Sequence, residues 1–375
     1  MKKIVVISDS FKGSLSSKEI LNIFQEVKQE YLPNVIIKSF PIADGGEGTV
    51  EAFSSFQKGQ TINITVHDSF LNLINTQYFI NEDNEAIIEI ASSSALTQVK
   101  DNKDPSKTST YGIGEQIKDA IKRGVKKIYI GLGGSSTNDM GTGAACALST
   151  IFYNQSNEPF IPVGGTLKDI VSYDNSETKK LLKGVEIICL SDVNNVTYGP
   201  DGASFVYAKQ KGADEAMIKM LDDGLKHLSS LIYNISNIDV SNLPKGGAAG
   251  AFGAGSYAFL NAKLKSGIDI ILQLLHFEDE IKDADYIFTG EGKIDYQTLK
   301  GKAIYGIAKI ANKHHVPLIC ICGLVDSSIN QDNLKKLGII KAISISEGYD
   351  VNYSMTHARE LYKNHLIKII KDLKK

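Results

Sequence analysis

Four glycine-rich segments hold most of the residues in this 375-residue chain that could perform chemistry. Each segment combines glycine with hydroxyl, carboxylate, amide or ammonium side chains; they are residues 9–16, 43–49, 131–143 and 289–302. Glycine allows a ligand to approach the backbone closely, and successive backbone N–H groups can converge on an anion. Carboxylates can take a proton or bind a hard cation. The combination is typical of phosphate chemistry.

The first two segments supply a cation and two acids. Lys12 lies between a predicted strand and a predicted helix, where the helix N-terminus and its dipole favour an anion. Asp44 and Glu47 stand three residues apart among glycines, and such carboxylates can hold Mg²⁺ or accept hydrogen bonds from substrate hydroxyls. The structural alternatives are a βα turn with a solvated lysine and an aspartate that caps a helix.

The third and fourth segments each follow a predicted strand. The third predicts a phosphate cradle whose candidate binding residues are Gly133, Gly134, Ser135, Ser136, Asn138 and Asp139. The fourth opens a helix and contributes Gly290, Glu291 and Asp295. It is not a Walker A loop, because no serine or threonine follows Lys302 and the upstream glycine spacing differs.

Further candidates lie outside these segments. Asp192 follows a predicted strand over 185–190, at the sheet edge where α/β proteins place ligands. Lys211 precedes a predicted helix, and the glycine- and alanine-rich run 246–255 predicts a loop. The seven histidines are scattered, so zinc-type spacing is absent, whereas a hard cation held by carboxylates and a nucleotide stays open. The residues alone therefore indicate a phosphate-binding enzyme, most simply a kinase.

The N-terminal elements that position the first two segments have β–α–β order. Ile4 to Ile7 is a β-branched run typical of a strand buried on both faces. Ser16 and Glu19 form an S-x-x-E capping box, and the apolar spacing that follows predicts a helix over 17–31. A second strand is predicted near residue 36. This order is typical of a parallel sheet.

The pattern changes in the middle of the chain and returns near its end. Alternating apolar residues over 61–95 predict antiparallel hairpins, and the βαβ pattern resumes at 285 and ends in a helix over about 354–373. We therefore expect an α/β fold with a discontinuous, doubly wound, Rossmann-like domain over 1–60 and 285–375. A mixed-sheet α/β domain is expected as an insertion over 61–284, with the active site in the cleft between the domains.

Composition excludes several classes of protein. The chain is 42% hydrophobic and 22% charged, which excludes disorder, collagen and coiled coil as the main architecture. The net charge of −2 gives no reason to expect nucleic acid or an anionic membrane as a partner. The four cysteines form no C-x-x-C pair, and no apolar run approaches the ~18 residues of a membrane span. We expect a soluble, cytoplasmic protein with reduced thiols.

Six ordered motifs resemble the bacterial type-I glycerate kinase family. They are DSFKGSLSS (9–17), PIADGGEGT (41–49), GLGGSSTNDMGTG (131–143), QKGA (210–213), GGAAGAFGAG (246–255) and TGEGKIDYQTLKGK (289–302). The match runs in order over nearly the whole chain. The resemblance implies two α/β domains and phosphorylation of D-glycerate by ATP with Mg²⁺, with 2-phosphoglycerate as the favoured product.

The resemblance also implies a set of active-site residues at the matching positions. They are Lys12, Asp44, Glu47, Ser135, Asn138, Asp139, Asp192, Lys211, Glu291 and Asp295. We expect Asp192 to take the hydroxyl proton, with Asp295 as the second candidate, and Lys12 and Lys211 to neutralise phosphate or the glycerate carboxylate. Asp44, Glu47 or Glu291 is expected to hold Mg²⁺.

The chain departs from the family pattern in two places. Asn195-Val196-Thr197 replaces the usual N-P-L, and Tyr207-Ala208-Lys209 replaces the usual F-G-P. A kinase for another small hydroxy or sugar acid is therefore an alternative, as is a catalytically weak ligand-binding relative. The run 131–136 also resembles the phosphate loop of the GHMP kinases, whose other motifs do not fit. The sequence does not decide between a monomer and a homodimer.

Overall fold

The chain folds into two units. The structure, a computed structural model, describes residues 1–11, 13–42, 49–100, 102–295, 298 and 303–374. Unit 1 comprises Met1–Asp44 and Ile268–Lys375, and unit 2 comprises Gly45–Gly267. The chain of unit 1 is therefore interrupted by the whole of unit 2.

The strands of the described residues fall into four sheets. In chain order the strands are β1 (Lys3–Ser8), β2 (Ile36–Pro41), β3 (Gly59–His67), β4 (Leu73–Asn81), β5 (Glu85–Glu89), β6 (Lys127–Gly131), β7 (Ile151–Tyr153), β8 (Pro159–Phe160), β9 (Ser172–Asp174), β10 (Glu186–Leu190), β11 (Lys263–Lys265), β12 (Tyr286–Thr289), β13 (Lys293–Ile294), β14 (Leu318–Cys322), β15 (Leu324–Val325) and β16 (Ile339–Ser344).

The helices connect and cover these strands. In chain order they are α1 (Ser17–Tyr31), α2 (Thr49–Phe56), α3 (Ala91–Ser94), α4 (Leu96–Val99), α5 (Tyr111–Lys122), α6 (Thr142–Ala147), α7 (Ser176–Leu181), α8 (Ala203–Tyr207), α9 (Glu215–Ser236), α10 (Ala248–Leu260), α11 (Gly267–Leu274), α12 (Phe277–Ile281), α13 (Ala303–Lys313), α14 (Gln331–Lys336), α15 (Val351–Thr356) and α16 (Ala358–Leu373). Among the described residues, no helix has the length and apolar character needed to cross a membrane.

Unit 1 is built on a parallel five-stranded sheet in the order β16-β14-β12-β1-β2. The chain starts at β1, adds β2 on one side, and later adds β12, β14 and β16 on the other. The direction of strand succession therefore reverses between β1 and β12. Doubly wound sheets bind ligands at the carboxyl ends of the strands beside such a reversal. Side chains of β1, β12 and β14 share one hydrophobic core with α1 and α16. This core buries the predicted β-branched strand, β1.

Unit 2 contains a mixed six-stranded sheet in the order β11-β10-β6-β5-β4-β3. Strands β3, β4 and β5 pair in antiparallel fashion, as the alternation over 61–95 predicts. Strands β5, β6, β10 and β11 are parallel. Four strands therefore end at one edge of the sheet, and their last residues are Glu89, Gly131, Leu190 and Lys265.

The capping box at the start of α1 forms as predicted. The Glu19 N–H donates to Ser16 Oγ at 3.2 Å, and the Ser16 N–H donates to Glu19 Oε2 at 2.8 Å. The predicted loop over 246–255 was wrong, because α10 begins at Ala248 and is regular after an initial left-handed turn over 249–251. The predicted final helix over about 354–373 forms as α16 (Ala358–Leu373), and a separate short helix, α15 (Val351–Thr356), precedes it.

The two units divide earlier in the chain than the predicted boundaries at 60/61 and 284/285. The division falls at 44/45 and 267/268. Helix α2 packs on β3, β4 and β5 of unit 2. Helix α11 packs on α13 of unit 1, where a Cβ added to Gly306 would lie 2.8 Å from Ile268 Cγ1. Each connecting helix therefore belongs to the unit that buries its apolar face.

Candidate active site

The carboxyl ends of β1 and β12 adjoin where the strand order of unit 1 reverses. The Asp9 N–H donates to the Gly290 carbonyl at 2.9 Å, and Ser8 Oγ donates to the same carbonyl at 3.1 Å. The predicted segments 9–16 and 289–302 therefore start side by side. Lys12, Asp44 and Glu47 lie outside the described residues, so their roles stay predictions.

Gly290 stands where no side chain fits. A Cβ at this position would lie 1.9 Å from the Ile321 carbonyl oxygen and 3.2 Å from Ser8 Oγ. The first contact is with the backbone of β14, which cannot move without disturbing the sheet. Glycine at 290 is thus fixed by close packing of the strand ends.

We expect Gly290→Ala to lower the free energy of unfolding by about 3 kcal/mol, because β14 must shift to admit the methyl group. Gly124→Ala is the matched control, since its Cβ would meet no atom within 4 Å and only its φ of +88° is unfavourable. That control should cost ~1 kcal/mol. Urea unfolding of both variants measures the difference, and equal losses would contradict the steric explanation.

Thr298 joins two of the predicted acids in unit 1. Glu291 is buried, and its Oε1 accepts a hydrogen bond from Thr298 Oγ1 at 2.5 Å. Asp295 Oδ1 accepts from the Thr298 N–H at 3.1 Å and lies 3.4 Å from the same hydroxyl. The two carboxylates are therefore held on one short segment after β12. Thr298 lies within the predicted segment, but its role was not identified from the sequence.

In the predicted phosphate cradle of unit 2, the polar side chains point inward. Ser135, Ser136 and Asn138 are buried. Ser135 Oγ lies 2.8 Å from Thr137 Oγ1. Ser136 Oγ donates to the Ser94 carbonyl at 3.0 Å, and Asn138 Nδ2 donates to Ser204 Oγ at 3.1 Å. These bonds fix the shape of the loop. Direct contact of the three side chains with phosphate stays a prediction.

The backbone N–H groups at the start of this loop could bind an anion. Within the described residues, no hydrogen bond is donated by the N–H groups of Gly133, Gly134 or Ser135. Gly134 is exposed and has a φ of +76°, which favours glycine. Successive N–H groups of this kind form an anion-binding nest. The structure therefore favours the backbone as the anion-binding part of the cradle.

Asp139 lies at the centre of the loop and is fully buried. Its Oδ2 accepts from Thr110 N–H and Thr110 Oγ1, both at 2.8 Å, and from Gly143 N–H at 3.2 Å. Its Oδ1 accepts from Gly141 N–H at 3.2 Å. Burial raises the pKa of Asp139, and these hydrogen bonds act in the opposite direction. With four donors on its carboxylate, Asp139 fixes the loop rather than presenting an oxygen to solvent.

Lys211 also makes a hydrogen bond to this loop. Its side chain is 3% exposed, and its Nζ donates to the Thr137 carbonyl at 2.6 Å. Burial lowers the pKa of Lys211 to about 7, while the charge of Asp139 acts in the opposite direction. The ammonium predicted to meet phosphate is therefore enclosed in the protein.

The enclosed lysine should make stability depend on pH. Because the pKa of Lys211 is lower in the folded state, the unfolded chain binds more protons between pH 7 and about pH 10, so the free energy of unfolding should rise with pH. Relative to Lys211→Met, we expect the wild type to gain about 2 kcal/mol between pH 7 and pH 9. Urea unfolding at both pH values measures the gain. Lys209→Met, at an exposed lysine of the same turn, is the control, and the wild type should gain no stability relative to it. If the wild type also gains none relative to Lys211→Met, the Lys211 ammonium is not enclosed.

Asp192 lies just beyond β10, at the edge where the parallel strands of unit 2 end. Its Oδ1 accepts hydrogen bonds from Ser266 Oγ and Gly267 N–H, both at 2.9 Å. Both donors follow β11, the neighbouring strand. The carboxylate therefore has a fixed orientation at a sheet edge that also carries the predicted cradle.

Two charged residues at this edge were missed by sequence reasoning. Glu89 ends β5, is buried, and accepts a hydrogen bond from the Val50 N–H at the start of α2 at 2.5 Å. Lys245 has a left-handed φ of +67°, and its Nζ donates to the Ser191 carbonyl at 2.7 Å. Two sequence signals could have identified them: Glu89 is an acid within an apolar strand, and Lys245 directly precedes a glycine run.

Comparison with known proteins identifies the family. The sequence profile of the Glycerate kinase family matches residues 4–374. A Bacillus cereus protein named glycerate kinase is 40% identical over 363 residues, covering 96% of this chain and 93% of its own. An Escherichia coli protein named glycerate 2-kinase is 39% identical over 329 residues, covering 87% and 86%.

A solved structure agrees with this result. The crystal structure of a Salmonella typhimurium LT2 protein, provisionally named glycerate kinase 2, has a TM-score of 0.85 and 36% sequence identity. It covers all of this chain and 98% of its own. The likeness confirms the predicted two-domain α/β fold class, and the chain belongs to the glycerate kinase family.

Proposed function

We propose that this protein transfers the terminal phosphoryl group of ATP to the 2-hydroxyl of D-glycerate. The observation that carries the proposal is the oriented Asp192 carboxylate at the sheet edge that also holds the N–H groups of residues 133–135. The relatives named glycerate kinase support the acceptor, and the one named glycerate 2-kinase supports the 2-position. A metabolic kinase of this kind would act in the cytoplasm, where ATP is available.

Phosphoryl transfer requires positioning, charge neutralisation and a group that takes the hydroxyl proton. Asp192 is the proposed base: an oxygen of its carboxylate takes the 2-hydroxyl proton while its orientation is held by Ser266 and Gly267. The N–H groups of residues 133–135 bind phosphate oxygens. Asp139 and Lys211 hold that loop in place, and Lys12 supplies a positive charge. Asp295 is the second candidate for the base.

The acids of unit 1 suit a hard cation. Mg²⁺ is bound in proteins through one or two carboxylates together with substrate phosphates, and it neutralises charge on those phosphates. Glu291 and Asp295 place two carboxylates on one segment beside the reversal of strand order, and the described residues hold no larger acidic or histidine cluster. We propose Glu291 as an Mg²⁺ ligand. Glu47 stays the other candidate from the sequence.

Release of ADP in the presence of D-glycerate, ATP and Mg²⁺ tests the proposal. L-glycerate, omission of Mg²⁺ and a panel of small hydroxy and sugar acids are the controls. Turnover that requires D-glycerate and Mg²⁺ is expected, and phosphorus NMR of the product should show 2-phosphoglycerate. Turnover only with another acid would identify a different kinase. Thermal stabilisation by ATP without any turnover would indicate a ligand-binding relative.

A further inference from the structure

Lys245 places a cation beside the proposed base in unit 2. Its Nζ donates to the Ser191 carbonyl at 2.7 Å, and Ser191 directly precedes Asp192. In a trans peptide a carbonyl oxygen lies ~2.8 Å from the next Cα, so the Lys245 Nζ lies within about 5.5 Å of the Asp192 Cα. Both residues are half-buried, at the edge of the sheet where β10 ends. The ammonium and the carboxylate therefore belong to one small region of the surface.

The backbone at Lys245 has an unfavourable conformation. Its φ of +67° lies in the left-handed region, which a residue with a Cβ rarely adopts and glycine adopts without strain. The conformation is fixed by two hydrogen bonds: the Ala248 N–H donates to the Lys245 carbonyl at 3.1 Å, and the Gly247 N–H donates to the Asn195 carbonyl at 2.9 Å. Such strain occurs most often at functional sites. A lysine in place of glycine at this position therefore indicates a use for its side chain.

Lys245 is more accessible than Lys211, the other lysine that hydrogen-bonds to a loop at this edge. Lys211 is 3% exposed, and its ammonium is directed at the Thr137 carbonyl. Lys245 is half-buried, and an ammonium has three donors, so it can bind the Ser191 carbonyl and a ligand at the same time. A partly desolvated ammonium also attracts a carboxylate more strongly than an ammonium in bulk water does. Lys245 is therefore the better candidate for contact with an anionic acceptor.

The chemistry of the proposed acceptor requires a cation close to the base. In a 2-hydroxy acid the carboxylate and the reacting hydroxyl are on adjacent carbons, so a base at the hydroxyl has the substrate carboxylate next to it. The Asp192 carboxylate by itself would repel that group. An ammonium anchored on the residue before Asp192 offsets the repulsion, and it also determines which hydroxyl of the acceptor faces the base.

We propose that Lys245 binds the carboxylate of the phosphate acceptor and thereby selects 2-hydroxy acids over neutral alcohols. The proposal rests on the proposed function for the use of a hydroxy acid as the acceptor. The substrate carboxylate accepts hydrogen bonds from the Lys245 ammonium, while the adjacent 2-hydroxyl faces Asp192. Replacing the substrate carboxylate by a neutral group should therefore remove the contribution of Lys245 and leave the other contacts in place.

Steady-state kinetics with D-glycerate and with D-glyceramide, whose neutral amide replaces the carboxylate, tests the proposal. We expect Lys245→Met to lower kcat/KM for D-glycerate by about 10- to 100-fold, mostly through KM, because a hydrogen bond between charged groups is lost. The value for D-glyceramide should change by less than about threefold. Lys245→Arg keeps the charge and should retain more activity with D-glycerate than Lys245→Met. Lys263→Met, at an exposed lysine at the start of β11, is the matched control and should leave both values unchanged.

Lys245→Gly is the second variant, and it takes the place of Lys245→Met if the latter does not fold. Glycine removes the ammonium and adopts the φ of +67° without strain, so the fold should be kept. This variant should show the same selective loss with D-glycerate. An equal loss with D-glycerate and D-glyceramide would overturn the proposal, since it would show that Lys245 only holds the loop that carries Asp192. An unchanged KM for D-glycerate would overturn it as well.

The outcomes separate this proposal from the proposed function. A wild type that phosphorylates another 2-hydroxy acid would refute D-glycerate as the acceptor, and a comparison of that acid with its amide would then test Lys245. A wild type that phosphorylates only acceptors without a carboxylate would refute both proposals. If the wild type has no turnover, the proposed function fails, and calorimetric titration with D-glycerate replaces the kinetics: equal affinity of the wild type and Lys245→Gly would then overturn the role of Lys245.

Discussion

Replacing Asp192 by Asn is expected to lower kcat by about 10²- to 10⁴-fold while the KM values change little. Asparagine keeps the shape of the side chain and an oxygen that can accept from Ser266 Oγ and Gly267 N–H. It cannot take the proton from the 2-hydroxyl, so the loss should fall on the chemical step. Steady-state kinetics with D-glycerate and ATP measures the effect, and thermal unfolding checks that the variant folds.

Two further variants identify the origin of the loss. Asp201→Asn removes an exposed carboxylate of the same unit and should leave kcat unchanged. Ser266→Ala removes one hydrogen bond to the Asp192 carboxylate and should cost about 10-fold in kcat, since a bond to a charged group contributes about 1.5 kcal/mol. If Asp192→Asn retains kcat within 10-fold, Asp192 is not the base, and Asp295→Asn becomes the variant to measure.

Much of the fold could be predicted from the sequence because its signals are local. The capping box at Ser16 and Glu19 and the β-branched run at Ile4 to Ile7 each depend on neighbouring residues, and both formed as predicted. The run 246–255 misled the prediction because its glycines serve packing: a Cβ on Gly255 would lie 1.6 Å from the Met140 carbonyl. Such a long-range contact leaves no trace in the spacing of apolar residues.

The candidate site was predictable as a set of loops but not as a set of contacts. Strand order brings Asp9 beside Gly290 and Asp192 beside Ser266, and strand order cannot be read from local patterns. The sequence also could not show that the Lys211 ammonium turns inward to the Thr137 carbonyl. Residue type predicted the chemistry of the site, whereas burial decides which of these groups can meet a ligand.

A second large effect, on the free energy of unfolding, is expected at the buried residues Asp139 and Lys211. Asp139→Ala removes the acceptor of four hydrogen bonds and leaves the enclosed Lys211 ammonium without its nearby carboxylate. We expect the free energy of unfolding to fall by about 3–5 kcal/mol, because four donors lose their acceptor and the nearby Lys211 ammonium loses an opposite charge. Urea unfolding at pH 7 measures the loss. If this variant does not fold, Asp139→Asn takes its place.

The double variant with Lys211→Met shows whether the loss comes from the isolated charge or from the four unpaired donors. Methionine removes the ammonium but fills a similar volume, so the penalty for an unpaired buried charge disappears. We expect Asp139→Ala with Lys211→Met to cost about 1–3 kcal/mol less than the sum of the two single changes. Additivity within 0.5 kcal/mol would instead assign the whole loss to Thr110, Gly141 and Gly143. In the first case the Asp139 carboxylate offsets part of the cost of burying the Lys211 ammonium, in addition to holding the loop by its hydrogen bonds.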